Sequence, residues 1–210
     1  MKIANRYSMF LMCFFIGTLF TLAQKDTQNI LTSDFNEVVI DADEVFKINI
    51  ISENRETLQY KTHSEGEYFN DIRLKTSLKN DKLFIETQYP EQLVGGFDKL
   101  SAHKVFSLEL DLYLPENKLL IISSNSASLI VSGKFESFSA NLQRGYCNLK
   151  DFEGNARINT YKGDIDAEVV SGEITANSRH GKVLVDKNLY GMHQIKLTSI
   201  NGDISVRKTK

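Results

Sequence analysis

The hydrophobic residues of this chain follow a period of two rather than a helical period. From about Ser33, apolar side chains recur at every second position in short runs, as in Phe46, Ile48 and Ile50. Polar or glycine-bearing turns break these runs, which is typical of β-strands that bury one face. No window sustains apolar residues at i, i+3, i+4 and i+7. The pattern therefore predicts an all-β chain with almost no helix.

Glycines recur every nine residues in the second half of the chain, where a repeat is clearest over 133–206. They stand at Gly145, Gly154, Gly163, Gly172 and Gly181, and Gly202 follows after an interruption around Tyr190-Gly191. Apolar residues lie two and four positions after these glycines, and the positions between are mostly polar. Each unit is thus predicted to be one short strand with an inward apolar face, ended by a glycine turn.

A strand unit of this size cannot bury its own apolar face, so successive units must stack. Two strands per coil, at about 18 residues, predict a β-helix or β-roll-like solenoid. The part of the chain before the repeat is expected to be more irregular β structure. An ordinary β-sandwich is the alternative, and the constant glycine spacing favours the solenoid.

The first residues have the organisation of an export signal. Lys2 and Arg6 precede a mostly apolar run that ends at Phe20, and Ala23 offers a small residue at the cleavage position. A transmembrane anchor is the alternative, but the run is short for a bilayer span of about 20 apolar residues. We therefore expect residues 1–23 to be a cleaved signal peptide, with no membrane span left afterwards.

The mature chain is predicted to consist of a short linker at 24–32 and a single domain at 33–210. Hydrophobic residues make up 41% and charged residues 25% of the sequence, as in ordinary globular proteins. Loss of the leader removes two basic residues and no acidic ones, which changes the formal net charge from −2 to −4. Such a surface lacks the basic stripe that nucleic acid binding requires, so we expect no nucleic acid partner.

Residues with catalytic or metal-binding potential do not form a recognisable site. Cys147 is the only cysteine outside the leader, and we predict a small apolar core residue rather than a nucleophile. Asp164 and Asp166 share an outward strand face, where a solvated surface is simpler than a glycosidase acid pair. The four histidines lack zinc-site spacing: His63, His103, His180 and His193. We expect no enzyme activity, no catalytic residues, no metal and no cofactor.

The nine-residue period also allows a test for the calcium-binding nonapeptide roll. That motif needs several glycines per repeat and an Asp at a fixed position, because carboxylates of successive turns share the ion. Here each repeat has one glycine. The column directly after the glycine contains Lys182, and the column three after it contains Arg157. Calcium binding along the ladder is therefore not expected.

Four turns of the repeat resemble the glycine ladder of bacterial putative-adhesin domains: Gly163-Asp164-Ile165, Gly172-Glu173-Ile174, Gly181-Lys182-Val183 and Gly202-Asp203-Ile204. Two further segments resemble the putative auto-transporter adhesin, head GIN domain, family: Asp34-Phe35-Asn36-Glu37-Val38 and Lys82-Leu83-Phe84-Ile85. The chain departs from the repeated Gly-Ser/Ala-Gly turns of that family, so a related putative-adhesin family fits as well. The resemblance covers about 33–206. It implies a right-handed β-helix or roll exported by bacteria, and it carries no functional residues over.

The sequence favours a non-enzymatic adhesion or ligand-binding module of the bacterial cell envelope, whether periplasmic, cell-surface or extracellular. Its expected partner is a protein or a glycan, bound through the irregular segment 90–104 with Phe97 and through the outward Tyr146 and Tyr161. One alternative is a structural or accessory envelope protein without a specific ligand, which self-associates because solenoid ends expose strand edges. A carbohydrate-active enzyme is less favoured, because no acidic or basic cluster accompanies the fold.

Overall fold

The computed structural model describes residues 24–31, 34–66, 73–88 and 106–210, and these residues form strands and turns without helix. Fifteen strands are present: β1 (Gln24–Leu31), β2 (Glu37–Asp41), β3 (Lys47–Glu53), β4 (Leu58–Gly66), β5 (Arg73–Lys79), β6 (Lys82–Gln88), β7 (Phe106–Pro115), β8 (Lys118–Ser124), β9 (Ser128–Arg144), β10 (Cys147–Lys162), β11 (Ile165–Val169), β12 (Glu173–Ser178), β13 (Val183–Val185), β14 (Gln194–Asn201) and β15 (Ile204–Lys208). The predicted all-β class is confirmed. The predicted signal peptide and the segment 90–104 lie outside the described residues.

The strands form one hydrogen-bonded sheet with two branches. One branch has the order β5-β6-β2-β8-β9-β10-β14-β12, and the other has the order β1-β4-β7-β3-β9-β10-β11-β15-β13. The long strands β9 and β10 belong to both branches. In β9, for example, Leu129 pairs with Ile48 of β3, whereas Phe138 pairs with Leu120 of β8. Each long strand thus passes from one branch into the other.

Parallel pairing between consecutive coils follows the spacing that the glycines predict. Leu129, Cys147 and Ile165 are direct partners on three neighbouring strands, and each is 18 residues from the next. In the described residues, antiparallel pairing is confined to β1–β4, β4–β7 and β5–β6, so it lies at the N-terminal end of both branches. The more irregular β structure predicted for this part of the chain corresponds to these antiparallel strands.

The inner faces of the two branches share one hydrophobic core. Phe138 of the first branch and Phe152 of the second have ring centroids 6.2 Å apart, and Phe135 stacks on Phe152 at 5.6 Å. The predicted core position of Cys147 is confirmed, because its side chain has no exposed surface. Phe46 departs from the predicted alternation: it lies in the turn before β3 and is 61% exposed.

Backbone turns of neighbouring coils approach so closely that only glycine fits between them. Gly145 has φ +99°, and a Cβ on it would lie 2.2 Å from the carbonyl oxygen of Ala127. A Cβ on Gly163 would lie 1.9 Å from the carbonyl oxygen of Gly145. Real Cβ atoms do not approach backbone oxygens at these distances, so the predicted glycine turns form a stacked column.

The segment 24–32, for which the sequence predicts a linker, forms strand β1 over Gln24–Leu31. It pairs antiparallel with β4 from Gln24↔Glu65 to Leu31↔Leu58. Sequence patterning misses this strand because an edge strand can be held by backbone hydrogen bonds on one side without an apolar face of its own.

The last two coils are stacked out of chain order. Ile195 of β14 pairs with Ala156 of β10 on one side and with Ile174 of β12 on the other. Ile204 of β15 is likewise placed between Ile165 of β11 and Val183 of β13. The coil formed by β14 and β15 therefore lies inside, and the earlier coil formed by β12 and β13 ends the stack.

This order changes the burial of the end coil. The sequence predicts that Val183 and Val185 face inward like their counterparts in other coils, yet they are 39% and 40% exposed. Their neighbours in register on β15, Ile204 and Val206, are 1% and 2% exposed. The difference arises because no described strand stacks beyond β13, so one side of the inward face remains open.

Candidate functional site

A groove of about 580 Å³ crosses the C-terminal ends of five strands in the first branch, namely β2, β8, β9, β10 and β14. Its lining residues are Asp41, Asp43, Ser123, Ser124, Asn125, Asn141, Leu142, Gln143, Asn159, Thr160, Tyr161, Thr198 and Ile200. Because the strands are parallel and in register, equivalent positions of successive coils meet along this groove. The fold thus turns an eighteen-residue sequence offset into a continuous surface.

A row of polar side chains runs along the groove, one from each strand. Asp41, Ser123, Asn141, Asn159 and Thr198 are consecutive partners in register. Neighbouring strands in a sheet are about 4.8 Å apart, so these side chains repeat at that interval. The amide nitrogen of Asn159 donates to the side-chain oxygen of Asn141 at 2.9 Å. We call these five residues the polar row.

Buried hydroxyl groups fix the backbone beneath the polar row. Ser124 Oγ donates to the carbonyl oxygen of Ala42 at 2.6 Å, and Thr160 Oγ1 donates to that of Gly163 at 2.8 Å. Ser199 Oγ donates to the same Gly163 carbonyl at 3.2 Å. Hydroxyls that satisfy buried turn carbonyls hold the strand ends in place, so the row is presented by a rigid support.

Asn125 fastens one end of the groove to the preceding coil. Its side-chain oxygen accepts the backbone N–H of Glu44 at 2.9 Å, and its amide nitrogen donates to Glu44 Oε1 at 2.8 Å. The backbone N–H of Asn125 donates to Asp43 Oδ1 at 2.9 Å. These bonds join the turn between β2 and β3 to the turn between β8 and β9.

The groove is acidic at one end and uncharged along the rest of its length. Partial burial raises the pKa of Asp41, and the nearby carboxylates of Asp43 and Glu86 raise this pKa further. No lysine, arginine or histidine contributes to the lining described above. The groove therefore offers neutral hydrogen-bonding groups and disfavours anions near Asp41.

Apolar surface lies beside the polar row. Tyr161 is 63% exposed, and Leu142 and Ile200 add aliphatic carbon to the lining. A surface of this kind can hydrogen-bond hydroxyl groups and at the same time pack against apolar ring faces.

The predicted contact residues are separated by the fold. Tyr161 lines the groove, whereas Tyr146, which is 44% exposed, lies outside that lining. Phe97 and the segment 90–104 lie outside the described residues. The polar row was missed because its members are unremarkable singly, although Asn141 and Asn159 stand 18 residues apart, which is the coil length.

The other candidate groups take structural positions. Burial raises the pKa of the Cys147 thiol to about 12, so the thiolate is not available at neutral pH. Asp164 Oδ1 accepts the backbone N–H of Asp203 at 2.8 Å, and Asp166 Oδ1 pairs with Arg207 Nη1 at 2.7 Å. These carboxylates therefore hold neighbouring coils together.

The described histidines are also engaged on the surface. His63 bonds Asp26 at 2.6 Å and Glu65 at 3.0 Å, and His180 bonds Asn201 at 2.9 Å. Within the described ranges, no three His, Cys, Asp or Glu side chains are grouped so as to hold a metal ion. The same part of the chain contains no helix long and apolar enough to cross a membrane.

Comparison with solved structures places this architecture among proteins described as adhesins. A putative cell adhesion protein from Clostridium sporogenes aligns over 89% of this chain and 100% of its own, at 15% identity and a TM-score of 0.68. The two share their fold. Putative adhesins from Parabacteroides distasonis and Bacteroides fragilis align over 86% and 88% of this chain and 97% of their own, at 12% and 11% identity. Their TM-scores of 0.34 and 0.38 are too low to support an argument.

No protein-family model matches the chain, and no curated protein matches it.

Proposed function

We propose that this protein is an exported, non-enzymatic adhesion module of the bacterial cell envelope that binds a glycan in the groove. The observation that carries the proposal is the polar row, Asp41, Ser123, Asn141, Asn159 and Thr198, supported by the exposed ring of Tyr161. Adhesion requires a surface that holds an extended partner, and a row that repeats on successive strands is such a surface.

The chemistry of the lining favours a glycan over other extended ligands. Amide and hydroxyl groups both donate and accept hydrogen bonds, which matches sugar hydroxyls. Nucleic acids and other polyanions require basic side chains, which the groove lining lacks. A neutral or cationic glycan meets the acidic end at Asp41 without repulsion.

The family and the architecture belong to the same proposal. We assign the chain to the bacterial putative-adhesin domains, with the head GIN type as one of two fitting types, and we take the parallel coils to form a right-handed β-helix-like solenoid. Support comes from the glycine turns, from the pairing at intervals of 18 residues, and from the fold shared with the Clostridium sporogenes protein. Export rests on the leader-like residues 1–23.

The test is a glycan array probed with the protein obtained by expressing the full chain, followed by affinity measurement for the best neutral glycan. Tyr161→Ala should weaken binding about tenfold, which corresponds to about 1.4 kcal/mol. The matched control is Tyr146→Ala, which removes an exposed tyrosine outside the groove and should leave the affinity unchanged.

Two results would count against the proposal. An array without a bound glycan, or equal affinity of Tyr161→Ala and the wild type, would remove the groove as the binding site. Release of reducing ends from a polysaccharide panel would replace adhesion by catalysis.

A further inference from the structure

The strand β13 ends the second branch with an unprotected apolar edge. Its three residues, Val183, Leu184 and Val185, are 39%, 68% and 40% exposed, and among the described strands only β15 pairs with it. The connection that follows adds the exposed side chains of Tyr190 (77%) and Met192 (94%). An edge that combines unpaired backbone with exposed apolar side chains is a template for pairing with another strand.

The backbone directions on β13 show which groups are open. The N–H of Asp186 donates to Val206 on β15, and the carbonyl of Lys182 accepts the N–H of Ile204. Because backbone groups alternate along a strand, residues 182, 184 and 186 face β15, whereas Val183 and Val185 direct their N–H and C=O groups to the open edge.

We propose that a second copy of this chain pairs with the open edge, β13 against β13 in antiparallel orientation, with a two-fold axis at Leu184. In this register, Val183 of each copy exchanges two backbone hydrogen bonds with Val185 of the other. Leu184 then faces its own counterpart as a non-hydrogen-bonded pair, with the Cα atoms about 4.5 Å apart. The inward valines of both copies continue one core across the junction.

The charges beside the edge are self-complementary in this register. Lys182 and Asp186 lie at equal distances on either side of Leu184 and on the same strand face. The two-fold operation therefore places Lys182 of one copy directly opposite Asp186 of the other, twice per dimer. Opposite charges directly across an antiparallel pair stabilise it, and like charges destabilise it.

The neighbouring edge strand of the first branch has the same property. In an antiparallel pairing of β12 centred on Ala176, Glu173 of one copy faces Arg179 of the other. Both strands that end the stack are thus palindromic in charge, so this end matches a second copy of itself.

The edges at the other end of the stack do not match this surface. Strand β5 carries Arg73, Lys75 and Lys79 on its seven residues, and basic side chains on an edge oppose strand addition. Strand β1 begins with the polar run Gln24-Lys25-Asp26-Thr27-Gln28. A head-to-tail contact would bring one of these edges against β13, so we infer a closed two-fold dimer rather than an open filament.

Sedimentation velocity on the protein obtained by expressing the full chain tests this assembly through its charges. The wild type should be a dimer. Lys182→Glu alone and Asp186→Lys alone should each shift it to monomer, and the double variant should restore the dimer because the pairs reform with inverted sign. Lys196→Glu is the control, since it changes an exposed lysine on the internal strand β14 and should leave the dimer intact. Circular dichroism of every variant establishes that the fold is kept.

Asp186 also accepts the backbone N–H of Lys208 at 3.1 Å, so a second test avoids this residue. Leu184→Cys should give a disulfide-linked dimer on mild oxidation, because only the two-fold register brings this position against itself. Lys150→Cys, exposed on the internal strand β10, should not, and the wild type, in which Cys147 is buried, is the reference.

Four outcomes would overturn the proposal. They are a wild type that stays monomeric at high concentration, a dimer that survives Lys182→Glu, growth into filaments, and Leu184→Cys that links no faster than Lys150→Cys. Glycan binding in the groove is measured separately, so loss of the dimer with retained binding would overturn this inference and leave the proposed function in place.

Discussion

The two ends of the strand stack solve the same problem in different ways. Each end exposes strand edges, which are sites of unwanted pairing in any open sheet. At the N-terminal end the chain switches to antiparallel pairing and finishes with strands rich in polar and basic residues, such as Lys75 and Lys79 of β5. At the C-terminal end the pairing stays parallel and finishes with Val183, Leu184 and Val185. The first end is protected against association, and the second is suited to it.

Chain order explains part of this difference. The C-terminal coil, β14 and β15, is inserted between the preceding coils, so the exposed coil is one whose sequence continues the repeat. Its inward residues have the character of core residues but only half of the core environment. A protected end, in contrast, requires residues that depart from the repeat, as β1 and β5 do.

Removal of residues 194–210 should have the largest effect on this comparison. It deletes β14 and β15 with four buried apolar side chains and leaves β12 and β13 without partners. At about 1.5–3 kcal/mol for each side chain, the loss is about 6–12 kcal/mol, close to the whole stability of a typical domain. Guanidinium denaturation followed by circular dichroism should show no cooperative transition. The equivalent removal at the other end, of residues 24–31, should leave a cooperative transition; an equal loss from both would contradict the stacking order.

Substitution of Gly163 compares the middle of the stack with its end. A Cβ at Gly163 meets the carbonyl of Gly145 at 1.9 Å, whereas a Cβ at Gly172, beside the end coil, meets that of His193 at 3.0 Å. Gly163→Ala should therefore cost about 3 kcal/mol, because two backbones must separate, and Gly172→Ala should cost less. The free energy of unfolding of the two variants provides the measurement. Equal costs would show that the turns are not in contact.

A matched pair of valines measures how open the end coil is. Val206 and Val185 are direct partners in register, but they are 2% and 40% exposed. Val206→Ala should lower the free energy of unfolding by about 2 kcal/mol, and Val185→Ala by less than about 1 kcal/mol, in dilute monomeric protein. At concentrations that support the dimer, the cost of Val185→Ala should rise, because Val185 then becomes buried. A cost that does not depend on concentration would place the dimer contact elsewhere.

The smallest expected effect is a pH dependence at the protected end. Hydrogen bonds from Asp26 and then Glu65 raise the pKa of His63, which joins β1 to β4. Because the folded-state pKa is raised, this contribution is fully present below the unfolded pKa of about 6.5 and is lost as the pH rises through the folded value. The melting temperature of the wild type, relative to His63→Gln, should therefore be higher at pH 5.5 than at pH 8.5. An unchanged difference would exclude a role of His63 in holding β1.

The local features of the fold could be predicted from the sequence because they are encoded within a few residues. The glycine turns and the inward position of Cys147 follow directly from the nine-residue spacing. The order of the coils could not be predicted in this way. Ile195 pairs with Ala156, 39 residues earlier, instead of 18, and nothing in either strand specifies which neighbour it accepts.

The candidate groove was similarly hidden, because its residues come from five strands. Tyr161 was identified singly as an exposed aromatic, but the polar row appears only when positions one coil apart are aligned, as Asn141 and Asn159 are. Asp41 and Thr198 lie outside the regular eighteen-residue series and could not be added without the structure. Strand β1 was missed for the related reason that its partner, β4, is distant in sequence.

Amide hydrogen exchange tests the stacking order most directly. In dilute protein, the amides of β15 should be strongly protected, because β15 is enclosed between β11 and β13. The amides of Val183 and Val185, which face the open edge, should exchange quickly and become protected as the concentration rises. If Val183 and Val185 were as protected as Ile204 at every concentration, β13 would already be covered within one chain, and both the open end and the dimer would be wrong.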